Sequence, residues 1–230
     1  LEVNPRASRT VPFVSKATNV PLARIAAKLA TGIKLKDMDL KQWDEISHIA
    51  VKEAVLPFNK FPSESIFLSP EMKSTGEVMG ISDTFGQSFR RASISAGNII
   101  YDSGTVFISV NDADKMNVIP LARDLSEIGF RIVATLGTAK EFKRNGIPVE
   151  SIFKVGEGRP NAVDGIKNGE IQLVINTPMG KQSRYDEEAI GQACIQKGIM
   201  AITTLSGAEA AVRAIRSKKG VYVKPLQNYF

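Results

Sequence analysis

Gly104-Thr-Val-Phe-Ile-Ser-Val110, Phe130-Arg-Ile-Val-Ala134 and Ile171-Gln-Leu-Val-Ile-Asn176 decide the fold. Each is a short, β-branched, apolar run, the pattern of a strand buried on both faces. The segments between them read as helices. One runs to Ile128 and is closed by Gly129, with Asn117 as its expected cap and Pro120 in its first turn. A second spans Thr138–Arg144 and ends at Asn145-Gly146; a short strand near Ile152–Val155 and a small helix Ala162–Lys167 follow. Beyond the third run come a helix from Asp186 to Lys197, a strand Ile199–Thr203, a helix Ala208–Lys218 and a short final strand at Val221–Val223. Alternation with short connections predicts an α/β fold, a doubly wound parallel five-stranded sheet with helices on both faces. Ligands in such folds sit at the carboxyl ends of the strands, so the site is expected after Val110, Ala134, Asn176 and Thr203.

The first hundred residues read differently, and the chain divides near residue 100. Leu1-Glu2-Val3-Asn4 alternates like a strand and opens without Met, so the chain is expected to be a fragment. Asn19 is expected to cap a helix with Leu22, Ile25, Ala26 and Leu29 on one face, ended by Gly32. Val51–Leu56 is strand-like, and Pro57 to Pro70 is rich in Pro and Ser. Phe85, Phe89 and Ala92 mark a second amphipathic helix behind the cap candidates Ser82 and Asp83. This half reads as a mainly helical and irregular tail.

Composition narrows the chemistry. With one cysteine, Cys194, and one histidine, His48, a disulfide framework or a Cys/His metal cage is excluded. Cys194 reads as a small buried hydrophobe and His48 as structural. No run is long and apolar enough to span a membrane. Thirty basic against 24 acidic residues give a net charge of +6. The basic residues are spread out and not interleaved with aromatics, which favours phosphorylated metabolites over nucleic acid.

The strand ends carry matching groups. Thr135-Leu136-Gly137-Thr138-Ala139 joins hydroxyls to a helix start, a setting for a phosphate oxygen, although plain capping by Thr138 explains it equally well. Lys115 follows the strand ending at Val110 and can neutralise the same phosphate. Asn176-Thr177 can bind a ring or ribose hydroxyl, or form an Asx-type turn before Pro178. Gly156-Glu157-Gly158-Arg159-Pro160 fits no nucleotide fingerprint and reads as a mobile loop, with Arg159 a weak phosphate candidate. Glu2 and Asn4, two apart, can hold Mg²⁺ between triphosphate oxygens, with Arg6 and Arg9 nearby.

Long strings add a resemblance. Leu1 to Lys16, Val55-Leu-Pro-Phe-Asn-Lys-Phe61 and Glu71-Met-Lys-Ser-Thr-Gly-Glu-Val-Met-Gly80 resemble the end of the second ATP-grasp unit of carbamoyl-phosphate synthase large subunits. Ala134 to Ala139, Glu157 to Pro160 and Ile175 to Gly180 resemble that family's C-terminal methylglyoxal-synthase-like regulatory domain. The resemblance implies residues 1–100 as an ATP-grasp remnant and 101–230 as an allosteric domain. It further implies an ATP-dependent ligase serving pyrimidine and arginine biosynthesis, with a separate glutaminase subunit and a cytoplasmic or plastid setting. By the same resemblance Glu2 and Asn4 are metal ligands for Mg²⁺ or Mn²⁺, with Glu2 also near ATP. The fragment alone is expected to be catalytically silent and to need no cofactor. Ser109, Lys115, Thr135, Thr138, Asn176 and Thr177 match the pocket for effectors such as UMP and IMP. Glu77 and Thr203 match an ornithine site. Leu136 stands where histidine is common, Pro178 and Met179 replace smaller polar residues, and Ala201 replaces an aromatic, which weakens the ornithine reading. Partners expected are the glutaminase subunit, the rest of the large subunit and these effectors, without nucleic acid or membrane; self-association is left open. The alternative is a methylglyoxal synthase, but no histidine follows His48.

Overall fold

The computed structural model describes residues 3, 5–40, 46–58, 60, 73–177, 183–217 and 223–230. The sheet predicted from residue 104 onward is present. Strands β3 (Gly104–Val110), β4 (Phe130–Thr135), β5 (Glu150–Ile152), β6 (Leu173–Thr177) and β7 (Met200–Ile202) lie in the order β5-β4-β3-β6-β7, all parallel. Before them come β1 (Ile49–Val55) and β2 (Gly76–Ser82).

Side-chain alternation along β3 sorts the core. Val106, Ile108 and Val110 face one layer with Ile132, Ala134, Leu173 and Ile175. That layer is closed by α4 (Lys115–Ile128), α5 (Leu136–Arg144) and α8 (Leu205–Arg216), through Leu125, Phe142 and Ile215 among others. Phe107 and Val174 face the opposite layer, covered by α6 (Ala162–Lys167) and α7 (Ser183–Lys197) through Ile166, Ile190 and Cys194. A residue's partner layer switches with each step along a strand, which is why unbroken apolar runs suit these strands.

Several local expectations are corrected. Helix α4 begins at Lys115, so Asn117 is its third residue and Pro120 lies inside it. Pro120 cannot donate to the carbonyl of Met116, which stands on the exposed side. Thr138 does not cap α5. It is the third residue of that helix, and Thr135 holds the cap position without a side-chain hydrogen bond. Strand β5 sits two residues earlier than expected, and α7 and α8 each start three residues earlier. Val221 of the expected last strand lies outside the described residues, as do Pro178, Met179 and the Glu2 and Asn4 of the expected first strand.

The first hundred residues hold the expected helices and add a hairpin. Strands β1 and β2 pair antiparallel, from Ile49 opposite Ser82 to Val55 opposite Gly76. Helix α3 (Phe85–Ser95) lies across them, capped by Thr84, not by Ser82 or Asp83. A Cβ at Gly80 would lie 1.9 Å from the Ser88 carbonyl oxygen, so only glycine lets strand and helix approach this closely. The other side of α3 packs on α8: a Cβ at Gly86 would lie 2.4 Å from the Arg213 carbonyl oxygen.

Two helices precede the hairpin, α1 (Thr10–Thr18) and α2 (Leu22–Ala30). Asn19 ends α1 in a left-handed conformation, φ 55°, and does not cap α2. His48 is buried, and its Nε2 lies 2.9 Å from the carbonyl oxygen of Ala17. Tyr229 and Phe230 pack edge-on against its ring, so His48 is structural, as expected, and ties α1 to the chain's end.

Candidate functional site

The chain winds outward from β3 to β4 and β5, then returns to place β6 on the other side of β3. The carboxyl ends of β3 and β6 therefore flank the point where strand order reverses, and a crevice opens there. The cleft has a volume of about 970 Å³. Ser109, Lys115, Thr135, Thr138, Asn176 and Thr177 all line it, so the structure brings together the five positions named from strand ends and Ser109, which the resemblance added.

The hydroxyls differ in how far they are satisfied. Thr177 Oγ1 donates to Asp114 Oδ2 over 2.8 Å, and Asn111 Nδ2 donates to the same carboxylate oxygen over 2.6 Å. This network locks the end of β6 to the turn after β3. Among the described residues Ser109, Thr135 and Thr138 have no comparable partners. Ser109 Oγ lies 3.3 Å from Thr135 Oγ1, which lies 3.4 Å from Thr138 Oγ1, which lies 3.4 Å from the Val110 nitrogen. Good hydroxyl hydrogen bonds span about 2.5–3.0 Å. Thr135 and Thr138 are nonetheless buried, at 6% and 1% exposure. Buried hydroxyls with long contacts keep spare capacity for a ligand's oxygens.

The field over these hydroxyls is positive. The first N–H groups of α5 have no side-chain cap from Thr135, and the dipole of the helix adds partial positive charge. Lys115 reaches the same place: a Cβ on Gly137 would lie 3.2 Å from its Nζ. A lysine over a helix start is unfavourable unless an anion joins it. Asp112 supplies one, with Oδ1 2.6 Å from Lys115 Nζ, and that contact holds the Asp112 carboxyl below its ordinary range. Lys154 lines the cleft as well and pairs with Glu157 over 3.4 Å.

Asp186, in the first turn of α7, also lines the cleft. Burial pushes its carboxyl above the usual value. Lys154, Asp112 and Asp186 were not among the expected site residues; their positions in loops and a first turn carry no periodic signal. Arg159 points elsewhere, largely exposed and 3.7 Å from Asp164.

A second cleft, about 760 Å³, lies where β1 and α3 meet β7 and α7. Thr203 and Ala201 line it together with Glu53, whose carboxylate accepts from Ser93 and Asn98, each over 2.7 Å. Glu77 is not among its lining residues; it pairs with Lys52 over 3.3 Å on the hairpin. Of the two positions named for ornithine, Thr203 thus lines this cleft and Glu77 stands on the neighbouring hairpin. Glu2 and Asn4, the expected metal ligands, lie outside the described residues. Among the described residues no three His, Cys, Asp or Glu side chains gather as a metal site, and no helix is long and apolar enough to cross a membrane.

Comparison with known proteins agrees with both parts of the chain. Residues 117–203 match the MGS-like domain family, and residues 1–38 match the family described as carbamoyl-phosphate synthase L chain, ATP binding domain. The carbamoyl phosphate synthase large chain of Acidobacterium capsulatum is 52% identical over 235 residues, covering 99% of this chain and 22% of that protein. Its counterpart in Archaeoglobus fulgidus is 52% identical over 232 residues, and that in Nostoc sp. 49% over 231, each covering all of this chain and 22% or 21% of the relative. The chain therefore spans about a fifth of the length of these relatives.

Proposed function

We propose, for a chain that belongs along its whole length to the carbamoyl phosphate synthase large-chain family, that it is the effector-binding part of such a large chain. In this reading residues 101–230 form the allosteric domain and residues 1–100 close an ATP-grasp domain. The cleft at the ends of β3, β4 and β6 receives a nucleoside monophosphate such as UMP or IMP. The observation that carries the reading is the group of under-satisfied hydroxyls, Ser109, Thr135 and Thr138, beneath Lys115 at an uncapped helix start. Phosphate oxygens would accept from the hydroxyls and from the first N–H groups of α5, and Lys115 would neutralise them. Asn176 and Thr177 would bound the nucleoside, with Thr177 held in place by Asp114 and Asn111.

The parent's activity is read across in the same way: ATP-dependent synthesis of carbamoyl phosphate, with a glutaminase partner and divalent metal at a site that includes Glu2 and Asn4. The ATP-binding family matches residues 1–38 alone, so these 230 residues by themselves should make no carbamoyl phosphate. The methylglyoxal-synthase reading finds no support in the cleft. The chain's one histidine, His48, is packed against Tyr229 and Phe230 instead.

Calorimetric titration with UMP and IMP tests the proposal. Lys115→Ala should weaken binding roughly ten- to a hundredfold, since charge-assisted hydrogen bonds are worth about 1.5–3 kcal/mol each. The loss should grow at low salt. Thr138→Ala should weaken binding with less salt dependence. Because Thr138 does not cap α5, the melting point without ligand should show no cap loss. If both variants bind as tightly as the parent, the effector site lies elsewhere.

A further inference from the structure

The turn between β3 and α4 holds two aspartates that do different work. Asp114 builds the turn: its carboxylate accepts from Thr177 and Asn111, and its N–H donates to Asn111 Oδ1 over 3.1 Å. Asp112 contributes nothing of that kind. Its side chain is 94% exposed, and among the described residues its carboxylate meets only Lys115 Nζ, at 2.6 Å. Lys115 is much less exposed, at 24%, and stands over the start of α5. The exposed partner thus reaches inward to a cation that is itself committed to the cleft. The pattern repeats across the cleft, where Lys154 is held by Glu157 three residues on. Among the described residues, the two lysines of the cleft are therefore already paired with carboxylates three residues away.

We propose that Asp112 is an internal competitor for the anion site, a tethered carboxylate that holds Lys115 until a phosphate group displaces it. The proposal rests on the effector reading above and adds how the site chooses its anion. A carboxylate tethered three residues away acts at high effective concentration, so a singly charged anion gains little by replacing it. A phosphate dianion brings twice the charge, fills the N–H groups of α5 and the hydroxyls of Ser109, Thr135 and Thr138, and displaces it. Asp112 then swings into water, where its exposure makes the move cheap, and the turn stays intact because Asp114 holds it. Asp112 thereby lowers affinity for every anion and sharpens the preference for phosphate.

The test is calorimetry of inorganic phosphate and of UMP against the parent chain, Asp112→Asn, Asp112→Ala and a control, Glu150→Gln. Glu150 pairs with Arg131 over 2.5 Å at the start of β5, outside the cleft, so its variant changes net charge equally without freeing Lys115. Exposed pairs are weak, so the Asp112 variants should tighten phosphate and UMP by about two- to fivefold. They should also make phosphate binding more sensitive to added chloride. The control should match the parent. Asp112 variants that bind phosphate no better than the control, or worse, overturn the proposal, and so does a chain on which neither parent nor variant binds phosphate. If the variants tighten phosphate while the parent ignores UMP, the competitor stands and the nucleotide reading fails. If the parent binds UMP and the variants change nothing, the nucleotide reading stands and the competitor fails.

Discussion

Replacing Gly137 with alanine should move stability and effector binding in opposite directions. Gly137 is the second residue of α5, and its φ is outside the left-handed region, so alanine fits the backbone. A Cβ there would lie 3.2 Å from Lys115 Nζ and 3.8 Å from its Cε, and among the described residues beyond its chain neighbours and its own helix backbone nothing else comes within 4 Å. The neighbour that must yield is the tip of a flexible side chain. Alanine is preferred to glycine in a helix interior by about 0.5–1 kcal/mol. At the second position about half of that is expected, and for a chain of this size the melting point should rise by about 1–2 °C. Binding responds differently. The new methyl stands between Lys115 and the first N–H groups of α5, where a phosphate oxygen must come close. Loss of one charge-assisted hydrogen bond should weaken UMP binding by about ten- to a hundredfold. Scanning calorimetry without ligand and isothermal titration with UMP read the two effects separately. Unchanged UMP affinity would refute the placement of the phosphate. A melting point lowered by several degrees would refute the packing around Gly137.

Two further outcomes follow from the packing. Gly86→Ala should destabilise the chain by about 3 kcal/mol, because its Cβ meets the Arg213 backbone 2.4 Å away and forces α3 off α8; the melting point should fall by about 6–12 °C. A fall of a degree or less would mean that the two helices do not pack this closely. Cys194 is 1% exposed and burial pushes its thiol up to about 12, so it should resist alkylation at pH 8 in the native chain and react once urea unfolds it. Rapid native labelling, read by mass spectrometry, would contradict its burial between α7 and the sheet.

The sequence by itself determined the sheet and, to within a residue, where β3, β4, β6 and β7 end. Gly104–Val110 and Ala162–Lys167 have the boundaries their residues predict, and the structure adds a capping box at Asn161 for the second. The strand-end rule then located Lys115, Thr135, Thr138, Asn176 and Thr177 at one crevice, and the resemblance added Ser109. Other elements were not legible. Asn19 carries a side chain that suits a helix start and a backbone that tolerates a left-handed turn, and only packing selected the helix end. Strand β2 contains Gly76 and Gly80 and pairs with a partner more than twenty residues away, so no local window reveals it. The same holds for the motif at Thr135–Thr138. Its residues permit either a capped helix or an anion site. The tertiary structure decided against the cap by burying Thr138 inside α5, and it placed Asp112, Lys154 and Asp186 around the cleft from three separate segments. Local sequence sets what each backbone segment prefers. Which side chains share a cavity depends on contacts between segments distant in the chain, and those exist only once the layers have packed.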